Sequence, residues 1–224
     1  NLYPDVWFNY NQHHLTVSER ITLPSQAINA KSAPDLIMIY FEEPDHQGHD
    51  FGPQSPHTKD ALRNMDAHLQ DLWENIQQGP RKDSVNLIVV SDHGMTLVSP
   101  ERKIECKKYL NPKWYERVEG NLPAQIYCKK GYVDSVYNAL KDLPHQRVWR
   151  KKDIPAYLHY GTHVNIGDIV VDPQEGWLVT DDKVKTGGMH GYDPTYSDMQ
   201  AIFRAMGPSF RHITYPHFQN INVY

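Results

Sequence analysis

Two apolar runs, each followed at once by acidic residues and histidines, most constrain the fold. The run "DLIMIYF" at 35–41 leads directly into "EEPDHQGHD" at 42–50, and "SVNLIVV" at 84–90 leads into "SDHG" at 91–94. A continuous apolar run of strand length is typical of a strand covered on both faces, as in a parallel sheet. Such strands end at the carboxyl edge of a doubly wound sheet, where these folds place their ligands. The sequence therefore predicts an α/β fold with a site at that edge.

A helix is predicted between the two runs. In "SPHTKDALRNMDAHLQDLWENIQQ", Ser55 is an expected N-cap and Pro56 the expected first helical residue. The apolar residues recur at helical spacing: Leu62, Met65, Leu69, Leu72, Trp73 and Ile76. A strand, helix and strand in this order bring both acidic–histidine clusters to one sheet edge.

The side chains in the clusters are those that bind zinc. Carboxylates and imidazoles are hard and borderline ligands, and both suit this ion. Asp45 and His49 are four residues apart and can converge on one ion if the backbone at Gly48 turns or coils. Asp92 and His93 are neighbours, so they can share an ion only where the backbone bends sharply. In the alternative interpretation, Asp92 caps a helix or forms a turn and His93 is its hydrogen-bonded neighbour.

A third candidate ligand lies far downstream in "GGMHGYDPTYSDMQAIFRAMGPSF" at 187–210. His190 is in a glycine-rich turn, where backbone freedom lets an imidazole approach a site closely. "MQAIFRAMG" then predicts a short buried strand that ends at a Gly-Pro turn.

Residues 98–184 differ in character from the rest of the chain. "LPAQIYCKK" predicts a strand, "YVDSVYNALKDL" a helix, and "VNIGDIVVDPQEGWLV" a hairpin around Pro173 to Gly176. We therefore expect residues 1–97 and 185–224 to form the α/β core. Residues 98–184 are expected to form a small α+β insertion or cap.

Composition excludes some classes of protein. The net charge is -4 without a basic stripe, which argues against duplex nucleic acid as a partner. No run approaches the roughly 18 apolar residues of a membrane span. Cys106 and Cys128 are too few and too far apart for a zinc ribbon, and they fit one disulfide as well as two thiols. Asn1 is not an initiator methionine, so we expect that an upstream part is missing.

The chain resembles the nucleotide pyrophosphatases/phosphodiesterases of the alkaline phosphatase superfamily. The resemblance runs in the family's order through "FEEPDHQGHDFGPQSP", "LIVVSDHGMT", "HVNIGDIVV", "EGWLV" and "HGYDPTYSDMQAIFRAMGPSF". It implies an alkaline-phosphatase-like, doubly wound, mostly parallel sheet whose N-terminal part is absent from this chain. It also implies a hydrolase that cleaves phosphodiester or pyrophosphate bonds of small nucleotides and acts outside the cytoplasm, extracellularly or in the periplasm.

The resemblance further implies two zinc ions. One would be held by Asp45, His49 and His190, the other in part by Asp92 and His93. Met189 stands where the family usually has Thr or Asn, and His46 and Asp50 fall at variable positions, so the latter two are expected to be solvated. The family's nucleophilic Thr or Ser, which forms a covalent intermediate, and a further Asp ligand precede the region where this chain begins.

The missing nucleophile leads us to expect that the 224-residue chain alone is inactive. Tyr10 best matches the family's aromatic residue beside the nucleotide base, although packing of a loop explains an aromatic there equally well. Two alternatives stay open at this point: a phosphodiesterase for choline-type phospholipid head groups, and a noncatalytic metal-binding relative.

Overall fold

The computed structural model describes residues 3–9 and 15–223, which divide into two compact units. One unit comprises residues 1–41, 66–90 and 203–224, and the other residues 42–65 and 91–202. The helices are α1 (Val17–Ile28), α2 (Asp45–Phe51), α3 (Pro56–Gln78) and α4 (Val133–Leu140). The strands are β1 (Leu87–Val90), β2 (Thr96–Val98), β3 (Lys103–Ile104), β4 (Tyr115–Glu119), β5 (Ala124–Cys128), β6 (Gln146–Arg150), β7 (Ile169–Pro173), β8 (Leu178–Val179), β9 (Gly187–Met189) and β10 (Phe203–Met206).

The first unit has its core between α1 and the second half of α3. Ile21, Leu72 and Ile76 are buried there, and partly buried side chains around them include Ile39 and Phe41. Thr16 caps α1 in a capping box, since its hydroxyl accepts from the Glu19 amide and the Glu19 carboxylate accepts from the Thr16 amide.

The unit's strand pair corrects one detail of the sequence prediction. β1 and β10 pair antiparallel, with Leu87 opposite Met206 and Val90 opposite Phe203. The predicted strand near 199–207 is thus present, but alternate residues of β10 face solvent instead of being buried.

Residues 35–41 do not form the predicted strand in the part of the chain that the structure describes. The exposure of its side chains still alternates as in a strand: Leu36 and Met38 are exposed, while Ile37 and Ile39 are partly buried. A strand needs a neighbour that completes its hydrogen-bond ladder. None of the described strands pairs with this segment.

The second unit is built around a four-stranded antiparallel sheet in the order β4-β5-β7-β6. The helix α4 packs on it, and the shared core contains Ile126, Val136, Leu140, Ile169 and Val171. The strand at β5 and the helix at α4 were both predicted. All of these elements lie within residues 98–184, whose assignment as an insertion stays a prediction.

The predicted hairpin around Pro173 to Gly176 is wrong. β7 lies between β5 and β6, whereas β8 pairs parallel with β3. Alternating apolar residues locate both strands, but their pairing is decided by partners far away in the sequence, which a local pattern does not identify.

The structure also bears on the state of the cysteines and on membrane-spanning helices. Cys106 and Cys128 are free thiols, so the structure favours the second of the two alternatives for them. None of the described helices is long and apolar enough to cross a membrane.

Candidate metal centre

Asp45 and His49 lie on the short helix α2, which begins directly after the apolar segment 35–41. Gly48 continues the helix and is buried, so the backbone coils there as the convergence of these two side chains requires. Residues four apart share one face of a helix. The Asp45 Oδ2 atom accordingly lies 3.5 Å from Nε2 of His49.

His190 reaches the same place from the end of β9. Its Nε2 atom is 3.2 Å from Nε2 of His49 and 3.8 Å from Oδ1 of Asp45. One ligand atom from each of the three residues lies within 4.8 Å of the others. The structure therefore brings together three of the five predicted metal ligands, although Asp45 and His190 are 145 positions apart in the sequence.

Glycines permit this convergence. A Cβ atom on Gly187 would collide with the His49 carbonyl, and one on Gly188 would collide with the Gly48 carbonyl and the Met95 sulfur. The backbones of α2 and β9 thus touch at positions where a side chain has no room. The sequence analysis missed this contact, although the paired glycines before Met189 are a visible signal of close backbone approach.

One hydrogen bond decides which ring nitrogen of His49 carries its lone pair toward the cluster. His49 Nδ1 lies 2.8 Å from the Gly188 carbonyl, and since a carbonyl only accepts, Nδ1 carries the proton. A neutral His49 therefore directs the lone pair of Nε2 toward Asp45 and His190. Asp45 Oδ1 is buried without a hydrogen-bond partner. Electron-rich atoms in this arrangement suit a cation, and the carbonyl partner of His49 is the usual outer contact of a metal-bound imidazole.

His93 lies against the cluster by stacking on His190. The two ring centroids are 3.4 Å apart and the planes are inclined by 10°. His93 Nδ1 is 2.9 Å from the Gly94 carbonyl, which again leaves the lone pair on Nε2. Asp92 Oδ1 lies 3.4 Å from that atom, and its side chain is 79% exposed. Asp92 and His93 thus form a pair beside the three-residue cluster.

The sharp backbone bend expected at residues 91–94 is held by the segment 197–202. The Gly94 amide donates to the Met199 carbonyl (3.1 Å), and the Ser91 amide donates to the Ile202 carbonyl (3.3 Å). A Cβ atom on Gly94 would collide with the Asp198 carbonyl, so this position requires glycine. Sequence reasoning did not predict the role of this segment.

Burial lowers the pKa of His190 below its ordinary value. The neighbouring His93 acts in the same direction, while Asp45 opposes it. A neutral imidazole is the form that binds a metal ion.

The remaining predicted residues lie apart from the cluster or outside the described region. Tyr10, the predicted base-stacking residue, lies outside the described residues. His46 and Asp50 are exposed on α2, with His46 Nε2 3.7 Å from Asp50 Oδ2.

The chain matches known proteins along most of its length. The family model for type I phosphodiesterase / nucleotide pyrophosphatase matches residues 3–193. Human ectonucleotide pyrophosphatase/phosphodiesterase family member 5 is 34% identical over 212 residues, which are 93% of this chain and 44% of that protein. Venom phosphodiesterase 2 of Crotalus adamanteus is 33% identical over 238 residues, covering 99% of this chain and 29% of the venom protein.

A solved structure shows the same fold. An inactive variant of murine ectonucleotide pyrophosphatase / phosphodiesterase 5, in complex with AMP, matches 92% of this chain and 55% of that structure. The TM-score is 0.81 at 34% sequence identity. The predicted alkaline-phosphatase-like α/β class is thereby confirmed. The chain spans about half the length, or less, of these relatives. It belongs to the type I phosphodiesterase / nucleotide pyrophosphatase family.

Proposed function

We propose that this chain forms part of a zinc-dependent hydrolase that cleaves phosphodiester or pyrophosphate bonds of small nucleotides outside the cytoplasm. The observation that carries the proposal is the convergence of Asp45, His49 and His190, whose ligand atoms lie within 4.8 Å of one another. The AMP bound to the murine relative supports a nucleotide as the substrate class.

Asp45, His49 and His190 are proposed to hold one zinc ion, and Asp92 with His93 to supply part of the site for a second. Zinc bound at such a site supplies Lewis-acid chemistry, because it lowers the pKa of a hydroxyl or water and neutralises charge on phosphoryl oxygens. The buried, unpartnered Oδ1 of Asp45 and the lone pair on His49 Nε2 support the first assignment. The stacking of His93 on His190 supports two adjacent sites.

This chain's own residues orient the groups that would meet the substrate. The Gly188 carbonyl fixes the ring of His49, and the Gly94 carbonyl fixes the ring of His93. Both contacts keep the protons on Nδ1, so that the Nε2 atoms stay free to act as ligands. The exposed carboxylate of Asp92 leaves the second pair open to solvent.

The nucleophile is proposed to be a Thr or Ser that this chain does not supply. Three threonines outside the family's motifs each make a local hydrogen bond. The Thr16 hydroxyl donates to Glu19, that of Thr22 to the Ser18 carbonyl, and that of Thr58 to the Gly52 carbonyl. The 224-residue chain alone is accordingly proposed to bind metal without turnover.

Hydrolysis of a nitrophenyl nucleotide diester by the full-length protein tests the proposal. We expect activity that a chelator abolishes and that zinc restores, and a loss of at least roughly 100-fold in Asp45→Asn, as for removal of one electrostatic contributor. His46→Ala, on the same helix but exposed, is the matched control. Retained activity in Asp45→Asn would overturn the proposal. A faster reaction with a phosphocholine ester would overturn the nucleotide assignment and favour lipid head groups.

A further inference from the structure

A buried carboxylate lies three residues after His190. The side chain of Asp193 is 1% exposed. It accepts hydrogen bonds from the Tyr157 hydroxyl (2.6 Å) and from both the amide (2.9 Å) and hydroxyl (2.7 Å) of Thr195. Burial opposes ionisation, but these bonds and Arg147 hold the pKa of Asp193 well below its usual value. The carboxylate is therefore a fixed anionic anchor within the loop.

Arg147 ties this anchor to the four-stranded sheet. Its Nη2 atom donates to Asp193 Oδ2 (2.7 Å) and to Asp172 Oδ2 (2.6 Å). Arg147 lies on β6 and Asp172 on β7, where they are paired across the ladder. A charged hydrogen bond to a residue in a sheet restrains a loop more than a contact with an exposed side chain does. The reason is that a sheet residue has little freedom to move with the loop.

His190 needs such a restraint on its C-terminal side. On its N-terminal side, β9 is fixed by pairing with β2. On the other side stands Gly191, with φ at 103°, where the backbone has the freedom of glycine. The next fixed points are Tyr192, whose hydroxyl donates to the Trp177 carbonyl (3.1 Å), and Asp193.

We propose that Asp193 is a positioning residue for His190, with Arg147 as its counter-charge. It holds the loop so that the His190 ring stays stacked on His93 and keeps its Nε2 atom 3.2 Å from His49. The inference rests on the proposed function only in giving His190 a metal to bind. The positioning itself is a property of the metal-free protein.

Metal-free NMR of the histidine rings tests the positioning directly. Stacking on His93 gives the His190 ring protons a distinctive shift, which His190→Gln identifies by its disappearance. In Asp193→Asn, which keeps the size but removes the charge, we expect these signals to move toward those of an exposed histidine. Asp172→Asn is the matched control, because it removes the other carboxylate on Arg147 and leaves the ion pair between Arg147 and Asp193 in place. The control should leave the His190 signals in place.

Zinc titration of the same variants gives a second readout. Loss of a contact that orients a ligand costs roughly 10- to 100-fold in metal affinity. We expect that loss in Asp193→Asn and an unchanged affinity in Asp172→Asn. Unchanged His190 signals in Asp193→Asn would overturn the inference, as would equal shifts in both variants. A protein that shows the NMR change yet binds no zinc would contradict the proposed function while supporting the positioning role.

If Asp193→Asn does not fold, a milder variant tests the positioning role of Asp193. Tyr157→Phe removes one hydrogen bond to Asp193 and leaves the charge pair with Arg147 intact. We expect a smaller movement of the His190 signals in the same direction. No movement in this folded variant would count against the inference.

Discussion

At the scale of single residues, the cluster gathers acceptor atoms that suit a cation. Asp45 Oδ1 has no hydrogen-bond partner, and the protonation of His49 at Nδ1 leaves the Nε2 lone pair 3.5 Å from Oδ2 of the same carboxylate. An acceptor that is buried without a partner costs free energy. A cation bound between these atoms would supply the missing partner.

Removal of one imidazole from the cluster should abolish tight zinc binding. In His49→Ala we expect the apparent zinc affinity to fall at least roughly 100-fold, since the site is left with two of its ligands. In His46→Ala, an exposed neighbour on the same helix, the affinity should not change. Calorimetric titration of both variants measures this. Equal affinities would show that α2 is not the metal-binding helix.

Asp193 should make the folded state sensitive to acid. Its pKa is lowered from 3.8 in the folded protein, so its contribution is present above the unfolded pKa and is lost as the pH falls below about 4. Asp193→Asn should lower the free energy of unfolding at pH 7 by roughly 1.5–3 kcal/mol, the range for a hydrogen bond to a charged group. The variant should also lose less stability than the wild type between pH 5 and pH 3.

Asp172 provides the contrast, because burial raises its pKa, an effect that Arg147 only partly opposes. An acid with a raised pKa contributes stability that grows as the pH falls. Asp172→Asn removes this contribution, so the free energy of unfolding should fall more steeply with decreasing pH in the variant than in the wild type. Urea unfolding at several pH values compares the three proteins. If the free energy of unfolding varied with pH in the same way in all three proteins, both the lowered pKa of Asp193 and the raised pKa of Asp172 would be contradicted.

At the scale of secondary structure elements, the site depends on the contact between α2 and β9. The two elements approach so closely that Gly187 and Gly188 leave no room for a Cβ atom. The contact sets the distance between His49 and His190. A helix and a strand that are distant in sequence thus form one rigid support for the ligands.

Gly188→Ala should separate these two elements. The new methyl group would collide with the Gly48 carbonyl, and overpacking of this kind costs roughly 1–3 kcal/mol. We expect zinc affinity to fall together with stability. Gly131→Ala is the control, because its Cβ meets no atom within 4 Å although φ is 88°. That variant should lose some stability and keep its zinc affinity; a loss of zinc affinity in both variants would argue against a specific contact.

Helix α3 shows what a local pattern predicts well. Its N-cap is Ser55, whose hydroxyl accepts from the Thr58 amide (3.1 Å), and its buried residues Leu72 and Ile76 belong to the predicted apolar stripe. Both signals act within one or two helical turns. The sequence was sufficient here because caps and helical spacing do not depend on distant partners.

The site was only partly predictable, because its residues come from distant parts of the sequence. Asp45 and His49 are four residues apart, so they were expected to converge on one metal ion where the backbone coils. His190 was a candidate because of its glycine-rich turn, and the family resemblance assigned it to the same ion. The hydrogen bonds of Asp193 and of the Met199 carbonyl came from the structure alone. The β7–β8 hairpin was wrong because the partner of β8 is β3. Long-range pairing depends on contacts that alternation along one strand does not encode.

At the scale of the whole molecule, the unit of residues 1–41, 66–90 and 203–224 has exposed apolar side chains on the segment 35–41 and on β1. Met38 is 85% exposed, and Leu36, Ile88 and Val90 are exposed as well. Apolar side chains in such numbers lower solubility. The unit nevertheless has its own buried cluster at Ile21, Leu72 and Ile76.

Met38→Lys should therefore improve solubility without a cost in stability. We expect weaker fluorescence of an apolar dye, less light scattering, and a free energy of unfolding within roughly 0.5 kcal/mol of the wild type. Ile39→Lys is the matched control, because Ile39 packs on the buried cluster and a charge there has no partner. That variant should unfold more easily. Equal stability of the two variants would contradict the described orientation of this segment.

Asp45, His49 and His190 are proposed to bind one metal ion. Anomalous X-ray diffraction at the zinc edge, from crystals of the protein grown with zinc, tests this proposal. We expect an anomalous peak within coordination distance of an Asp45 carboxylate oxygen and of both Nε2 atoms. A density map without a peak there, or with zinc bound only at other residues, would refute the proposed site.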